Sequence, residues 1–282
     1  MTTKKLSVIL PNYNYAHYFE HRIDSILSQG YPIYELIILD DASTDNSISV
    51  IKETLEKYAE QLKDIKVKTI FNKENSGNVF KQWLLGIKNS TGDYIWMCEL
   101  DDDCKKSFLR SVMPAFDDEK VILSFANSYI KNNSLSGRMK DNVRQLVLNP
   151  LREDRPVTSY TRSGEEEIAK NLYIYNTIPN VSATVFRKSK DINFEKILHE
   201  AAKYKLSGDW YFYVMLLMHG DVHYCSKPLN IHRVHSSSVT GRTSNKIRLA
   251  EMQKIHTLIE DKIVISDSAK AKAQKVEQKF AN

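Results

Sequence analysis

An alternation of apolar runs and helical patterns over the first 130 residues constrains the fold of this chain most strongly. Apolar runs such as KLSVIL and YELIILD alternate with amphipathic segments such as YFEHRIDSILSQ, whose apolar residues recur at helical spacing. Three further runs, IKVKTIF, GDYIWMCEL and KVILSFANSYI, follow in the same manner. Continuous apolar runs are typical of strands buried on both faces of a parallel sheet. The pattern predicts a doubly wound α/β fold, a mainly parallel sheet flanked by helices.

The second half of the chain is less regular. Residues 131–162 are polar and rich in turn formers, which predicts a long loop. A strand is expected at NVSATVFRK, a helix at GDWYFYVMLLMHG, and one or two strands in DVHYCSKPLNIHRVHSS. From Asn245 onward the pattern is helical. We therefore predict a main domain over 1–242, with a regular half (1–130) and a less regular half (131–242), and a helical extension or linker over 243–282.

Composition narrows the classes of partner. The 282 residues carry a net charge of +5 with Lys and Arg spread along the chain, which argues against nucleic-acid binding. Three cysteines without a CxxC pattern favour reduced thiols and a cytoplasmic location. No run approaches the roughly 20 apolar residues of a membrane span, and the first apolar run breaks at Pro11, too early for a signal peptide. Any membrane contact is expected to be peripheral.

Polar residues end three of the predicted strands. Asn12 and Asn14 follow the first strand, the pair Asp40–Asp41 follows the second, and an acidic cluster follows the fourth. In open α/β sheets such strand ends share one ligand-binding crevice. Helix capping explains the nearby trio Ser43, Thr44 and Asp45. It does not explain Asp40 and Asp41, which are predicted to lack local partners and to accept hydrogen bonds from a nucleobase or a ribose.

The acidic cluster is the stretch CELDDDCKK, which contains Glu99, Asp101, Asp102 and Asp103. Carboxylates repel one another, and a hard divalent cation such as Mg²⁺ or Mn²⁺ prefers oxygen ligands. The alternative is a solvated acidic turn that favours the dipole of a following helix. The position of the cluster after an apolar strand, opposite Asp40 and Asp41, favours a metal site.

Two stretches of the second half also carry chemical groups. In SGDWYFYVMLL, Asp209 either caps a helix together with Ser207 or serves as a general base for an acceptor hydroxyl. In NIHRVHSSSVTG, the side chains of His232, Arg233 and His235 suit phosphate oxygens or a metal shell. The alternative for the second stretch is an exposed polar loop.

Taken together, these motifs resemble the family 2 glycosyltransferases, nucleotide-sugar enzymes with the GT-A fold. The resemblance covers roughly residues 5–240 and is carried by SVILPNYNYAHYFEHRIDSILSQGYPIYELIILDDASTDNS, ENSGNVFKQWLLGIKNSTGDYIWMCELDDD, SGDW and RVHSSS. It implies an inverting transfer from a nucleoside-diphosphate sugar, with a UDP-sugar expected, and Mn²⁺ or Mg²⁺ as cofactor.

The resemblance implies that 1–130 is the nucleotide-sugar-binding half and 131–242 the acceptor-side half, and it also implies roles for individual residues. The donor-binding set is Pro11, Tyr13, Asp41, Asn78, Lys81, Asp101, Arg233 and His235. Tyr13 would face the base, Asn78 or Lys81 the phosphates, and Arg233 with His235 the pyrophosphate. The register of the DxD-type metal site points to Asp101 and Asp102, with Asp102 foremost. Asp101-Asp102-Asp103 also matches DxD literally, with Asp103 as the last aspartate. The predicted metal ligands are Asp102 and Asp103, and Asp101 is placed in the donor-binding set.

The same resemblance makes Asp209 the predicted catalytic base. Gly208 stands where the family usually has the Glu of a Glu-Asp pair. The acceptor is predicted to be a hydroxyl of a glycan or lipid-linked glycan in bacterial surface polysaccharide synthesis, such as O-antigen or capsule. Residues 131–175 and the segment around Asn180 are expected to shape the acceptor side.

Two other functions fit parts of the sequence. A sugar nucleotidyltransferase shares the α/β sheet and the metal, but usually carries a Gly-rich phosphate loop, whereas LPNYNYAHY contains no glycine. A non-catalytic sugar-binding module would tolerate loss of Asp209 and of the acidic cluster, and both are present. The helix after Asn245 either rests on an anionic membrane, packs on the domain, or joins a further domain.

Overall fold

The computed structural model describes residues 4–132, 139–142, 158–234 and 243–281. Within these residues the strands form one ten-stranded sheet. They are β1 (Leu6–Asn12), β2 (Glu35–Asp40), β3 (Lys66–Phe71), β4 (Tyr94–Met97), β5 (Asp103–Cys104), β6 (Val121–Asn132), β7 (Met139–Asn142), β8 (Tyr160–Arg162), β9 (Thr184–Arg187) and β10 (Asp221–Val234). Their order is β3-β2-β1-β4-β9-β6-β10-β5, with β7 beside β6 and β8 beside β10.

Parallel pairing forms the long ladders of this sheet. β1 pairs in parallel with both β2 and β4, β2 with β3, and β6 with β10. The shorter contacts of β9 with β4 and β6 are antiparallel. Because β1, β2 and β4 are parallel neighbours, their carboxyl ends lie at the same edge. The predicted α/β fold with a mainly parallel sheet is confirmed.

Helices cover both faces of the sheet. They are α1 (Ala16–Leu27), α2 (Ser47–Lys57), α3 (Ala59–Leu62), α4 (Val79–Asn89), α5 (Phe108–Val112), α6 (Gly164–Glu167), α7 (Phe194–Ala201), α8 (Gly208–Leu217), α9 (Asn245–Glu260) and α10 (Asp267–Ala281). Successive side chains of a strand point to opposite faces. Accordingly, Val8 and Leu10 of β1 pack with α1 and α5, whereas Ile9 packs with α4 and α8.

The C-terminal helices are packed into the same core as the sheet. Met252, Ile255 and Ile259 of α9 are at most 1% exposed and belong to the cluster that contains α4 and α8. Residues 245–260 and 267–281 are therefore helical and packed against the sheet and its helices. Among the described residues, no helix combines the length and the apolar character that a membrane span requires.

The structure differs from the sequence-based predictions in three places. The boundary proposed at residue 130 falls inside β6, which runs from Val121 to Asn132. Of the long loop predicted over 131–162, residues 131–132 end β6, 139–142 form β7 and 160–162 form β8, so these parts are strands and the loop prediction is wrong for them. Residues 133–138 and 143–157 lie outside the described residues. The sequence pattern did not predict β5, whose two residues pair with β10.

Candidate active site

The loops that follow β1 and β2 are tied to each other. Asn12 Nδ2 donates to Asp40 Oδ2 at 2.6 Å, and the backbone N–H of Ser43 donates to Asp40 Oδ1 at 2.9 Å. The backbone N–H of Asn14 donates to Ser43 Oγ at 2.9 Å, while Asn14 Oδ1 accepts from the N–H of Thr44 at 2.7 Å. Asn14 adopts a left-handed φ of 58° that makes these bonds possible. The two loops form one rim of the crevice.

Asp41 also has local partners. Its carboxylate is 5% exposed and accepts from Ser76 N at 2.9 Å, Ser76 Oγ at 2.7 Å and Asn72 Nδ2 at 2.7 Å. Gln82 Nε2 adds a bond of 2.7 Å to Asp41 Oδ1. The prediction that Asp40 and Asp41 lack local partners is therefore wrong, because the loop before α4 folds back over Asp41. The hydrogen bonds to the Asp41 carboxylate hold this loop in place.

The other residues predicted to bind the donor lie along the same edge. Pro11 is half-buried near the end of β1, and Tyr13, directly after it, is 46% exposed, which leaves its ring available for stacking. Asn78 caps α4 by accepting from Phe80 N at 2.9 Å. Lys81 Nζ donates to the carbonyl oxygen of Ser76 at 2.9 Å. Asn78 and Lys81 thus shape the loop that surrounds Asp41.

Three carboxylates meet after β4. Glu99, Asp101 and Asp102 each offer one oxygen, and these oxygens lie within 4.8 Å of one another. No other such group of three occurs in the part of the chain that the structure describes. Carboxylate oxygens at this spacing suit a hard divalent cation. The residues present therefore fit Mg²⁺ or Mn²⁺.

The carboxylates of this acidic cluster repel one another, and the repulsion raises the pKa of groups in and beside the cluster. Burial, and then the charges of Asp101 and Asp102, raise the pKa of Glu99 well above its usual value, and Asp209 adds to this. Burial and the charges of Asp101 and Glu99 likewise raise the pKa of Tyr15. A cation at this point would relieve the repulsion.

Asp102 is the anchored member of the cluster. It is 2% exposed, and its carboxylate accepts from Asn180 Nδ2 and from the backbone N–H of Arg233 at 3.2 Å. His232 Nδ1 lies 3.2 Å from Asp102 Oδ1. Burial raises the pKa of Asp102, but the hydrogen bond and charge of His232 outweigh it, so the pKa is lowered overall. The same contact raises the pKa of His232 against the opposing effect of burial. Asp102 is thus held ionised.

Asp103 is not brought to the other three carboxylates. Its oxygens lie 2.8 Å from His21 Nε2 and 2.7 Å from Ser25 Oγ, both on α1. It also accepts from the N–H of Cys104 at 2.7 Å. The pairing of β5 with β10 fixes the backbone here. The predicted metal pair Asp102 and Asp103 is therefore replaced by Glu99, Asp101 and Asp102 as the geometric cluster.

The basic stretch at the end of β10 contacts the loop that carries the acidic cluster. Arg233 is buried, its Nε donates to the carbonyl oxygen of Asp101 at 2.8 Å, and its guanidinium lies 5.1 Å from the ring centre of Tyr18. Arg233 therefore fastens the loop that carries Asp101. His235 lies outside the described residues.

Asp209 is the second residue of α8 and lies close enough to the acidic cluster for its charge to act on Glu99. Its carboxylate accepts from the N–H of Trp210 at 2.7 Å and from Asn176 Nδ2 at 3.3 Å. Burial raises the pKa of Asp209 to about 6, against the lowering effect of these two donors. A carboxylate with this pKa is ionised at neutral pH and basic enough to accept a proton.

No motif in the sequence identifies the amides and hydroxyls that support the acidic cluster. Asn180 bridges Asp102 and Asn230, and Ser182 Oγ accepts from the N–H of Glu99 at 3.0 Å. The segment around Asn180 was expected to shape the acceptor side, and the structure shows it bonded to the acidic cluster. Residues of this kind have no motif of their own, since only the tertiary contacts bring them to the site.

Comparison with known proteins gives the family. The model for glycosyl transferase family 2 matches residues 7–192. The chain therefore belongs to glycosyltransferase family 2. The poly(ribitol-phosphate) beta-N-acetylglucosaminyltransferase TarS of Staphylococcus aureus is 32% identical over 202 residues, which are 70% of this chain and 30% of TarS. The putative teichuronic acid biosynthesis glycosyltransferase TuaG of Bacillus subtilis is 31% identical over 120 residues, 43% of this chain and 45% of TuaG.

Solved structures show the same fold. TarS residues 1–349 of S. aureus with UDP-GlcNAc align with a TM-score of 0.61 and 19% identity, over 99% of this chain and 72% of that chain. A mannosyltransferase of Pyrobaculum calidifontis with GDP-Man and Mn²⁺ aligns with a TM-score of 0.57 and 16% identity, over 95% and 67%. The matches to the curated relatives span 30% to 48% of those proteins' lengths. The fold is the GT-A fold.

Proposed function

We propose that this protein is an inverting, metal-dependent glycosyltransferase that moves a sugar from a nucleoside-diphosphate sugar to a hydroxyl of a glycan or lipid-linked glycan. The single observation that carries the proposal is that Asp209, with its pKa raised to about 6, lies within electrostatic reach of the acidic cluster of Glu99, Asp101 and Asp102. A base and a diphosphate-binding metal site are the two parts that such a transfer requires.

The proposed reaction uses Asp209 as the general base. Its carboxylate takes the proton of the acceptor hydroxyl while the hydroxyl oxygen forms a bond to the anomeric carbon. The bond from that carbon to the diphosphate oxygen breaks, and the nucleoside diphosphate leaves with the bonding electrons. Attack opposite to the leaving group inverts the anomeric configuration. Mn²⁺ or Mg²⁺, when held by the acidic cluster, supplies positive charge that offsets the charge of the leaving diphosphate.

Donor recognition is proposed for the opposite rim of the crevice. Tyr13 is exposed for stacking on the base, and Pro11 lies beside it. Asp41, Asn78 and Lys81 shape the neighbouring loop. We propose a UDP-sugar as donor, which the UDP-GlcNAc complex of TarS supports.

The proposed setting is bacterial surface polysaccharide synthesis, at the cytoplasmic side of the cell membrane. The relatives TarS and TuaG carry names from cell-wall polymer synthesis, which supports this setting. His235 and Arg233 are proposed to lie near the donor pyrophosphate, with Arg233 acting through the loop of Asp101. A peripheral membrane contact through 243–282 is part of the proposal.

The first test is Asp209→Asn. A general base contributes about 10²- to 10⁴-fold, so we expect turnover to fall by that factor while the affinity for UDP with Mn²⁺ is retained. The measurement is nucleoside diphosphate release with a panel of UDP-, GDP- and dTDP-sugars, together with calorimetric nucleotide binding. Near-wild-type turnover in the variant would refute the base assignment. A parallel assay supplies UTP and a sugar 1-phosphate, and release of pyrophosphate from that mixture would identify a sugar nucleotidyltransferase.

A further inference from the structure

Helix α9 is hydrogen-bonded to the loop that precedes α8. Glu251 of α9 is 6% exposed, and its carboxylate accepts three consecutive backbone N–H groups. They belong to Lys205 at 2.5 Å, Leu206 at 3.0 Å and Ser207 at 2.9 Å. α8 begins at the next residue, and Asp209 is its second residue. One side chain of the extension therefore fixes the backbone directly before the proposed base.

The backbone directly before α8 is held by the Glu251 carboxylate, which is distant in sequence. Within the described residues, the side chain of Ser207 makes no capping hydrogen bond to α8, although Ser207 stands at the N-cap. Hydrogen bonds from backbone N–H groups to a carboxylate are charge-assisted and therefore strong. A negative charge at a helix N-terminus is also favourable. Glu251 thus supplies from α9 a negative charge near the start of α8 and three hydrogen bonds that hold the backbone directly before it.

A second contact from α9 reaches the surroundings of Asp209. Arg248, three residues before Glu251, forms a hydrogen bond with Tyr175, which also lies within the electrostatic reach of Asp209. The ring of Tyr175 is 5.8 Å from that of Trp210, the residue after Asp209. The guanidinium of Arg248 lies 5.2 Å from the ring centre of Phe280 on α10. Both C-terminal helices are therefore connected to the residues around the base.

We propose that Glu251 is a positioning residue for Asp209, so that helix α9 belongs to the catalytic unit of this enzyme. The inference rests on the proposed role of Asp209 as the base. It predicts an effect on the chemical step that a purely stabilising contact would not produce. Loss of the carboxylate releases three backbone groups, and the Asp209 carboxylate is no longer held at one place relative to the acceptor hydroxyl.

The test compares Glu251→Ala and Glu251→Gln in the full chain. Misplacement of a catalytic group by about 1 Å can cost about 10²-fold, so we expect kcat of Glu251→Ala to fall by about that factor. The Kd for UDP with Mn²⁺ should stay within about twofold of wild type, because donor binding uses other elements. Glu251→Gln keeps one acceptor oxygen and should recover part of the loss. It also keeps the proposal testable if the alanine variant does not fold.

The matched control is Glu277→Gln. Glu277 accepts from His256 Nδ1 at 2.7 Å between α9 and α10 and has no bond to the 205–207 loop. This variant should lower the thermal midpoint but leave kcat per folded molecule unchanged. Glu251 variants whose kcat per folded molecule also stays at the wild-type value would overturn the proposal.

A double variant separates this proposal from the assignment of the base. Because Glu251 is proposed to act through Asp209, Glu251→Ala should add less than about twofold to the loss already caused by Asp209→Asn. A full additional loss would show that Glu251 acts elsewhere. If Asp209→Asn itself keeps turnover, the base assignment fails and the positioning role falls with it. If only the Glu251 variants keep turnover, the positioning role fails alone.

Discussion

Asp209 illustrates how two donors tune a buried carboxylate. Burial raises its pKa, while the N–H of Trp210 and the amide of Asn176 favour the ionised form and restrain the rise to about 6. A base whose pKa lies near the working pH combines sufficient ionisation with sufficient basicity. The proposed base therefore depends on a neighbour that no motif identifies.

Asn176→Ala should move the acid limb of the pH–activity profile. The ionised form of Asp209 is the active base, so wild-type kcat rises with pH through about 6. The variant lacks a donor that stabilises the carboxylate, so the pKa of Asp209 increases and the limb shifts to higher pH. The measurement is kcat against pH at saturating donor and acceptor. Asn171→Ala, which removes a bond to Glu167 in the same segment, is the control and should leave the limb in place. An unshifted limb in Asn176→Ala would contradict the proposed role.

Asp101→Asn should weaken metal-dependent donor binding. Asp101 is in the acidic cluster, and an amide is a poorer ligand for a hard cation than a carboxylate. Calorimetric titration of UDP at increasing Mn²⁺ should require at least about tenfold more metal for the same affinity, in the range known for disturbed metal sites. Asp103→Asn is the control, because its carboxylate bonds to His21 and Ser25. A stronger effect of Asp103→Asn would move the metal site to that residue.

At the scale of elements, the start of α8 is packed too tightly for any side chain at its first residue. A Cβ on Gly208 would lie 2.5 Å from the carbonyl oxygen of Ala201 at the end of α7 and 2.5 Å from the ring of Phe80 on α4. This close approach of three helices gives a physical reason for a glycine at position 208. The position of Asp209 is thus fixed by helix packing as well as by hydrogen bonds.

Gly208→Ala should destabilise the protein by about 1–3 kcal/mol, the range for overpacked sites. The added methyl meets backbone on one side, so α8 must shift rather than a flexible side chain. Urea unfolding followed by fluorescence measures the change. Gly77→Asn is the comparison, since nothing lies closer than 4.0 Å to a Cβ there and asparagine tolerates its φ of +69°. Equal stability of Gly208→Ala and wild type would show that α8 has more room than the structure gives it.

At the scale of the whole molecule, the extension and the sheet share one core. Ile255 on α9 is completely buried in the cluster that also contains Phe212 of α8 and Phe186 of β9. A shared core predicts that the described parts of the chain unfold together, because neither part retains its apolar contacts without the other.

Ile255→Ala should cost about 2–5 kcal/mol, as expected for a large-to-small change in a core. Tryptophan fluorescence reports on the sheet and α8, since Trp96 and Trp210 are buried there, and far-UV circular dichroism reports on all helices. Both signals should shift to lower urea concentration by the same amount. Separate transitions for the two signals would contradict a shared core. Val264→Ala, at a residue that is 96% exposed, should change stability by less than about 0.5 kcal/mol.

The apolar runs predicted much of the architecture, because a strand buried on both faces requires them. Leu6–Asn12 and Glu35–Asp40 were found as strands with their polar ends at one edge. The two-residue β5 was not predicted, since a strand of that length has no periodicity. Its absence from the sequence pattern is also why the orientation of Asp103 was not anticipated.

The sequence by itself determined the fold class, the family and the acidic character of the stretch after β4, because these follow from periodicity and from residues adjacent in the chain. Only the tertiary structure decided which carboxylates meet, since Asp103 turns to α1 while Asp101 and Asp102 join Glu99. It alone connected Glu251 to the loop before Asp209, across more than forty residues of sequence. Contacts between distant segments depend on how helices and strands pack, and local patterns do not encode that packing.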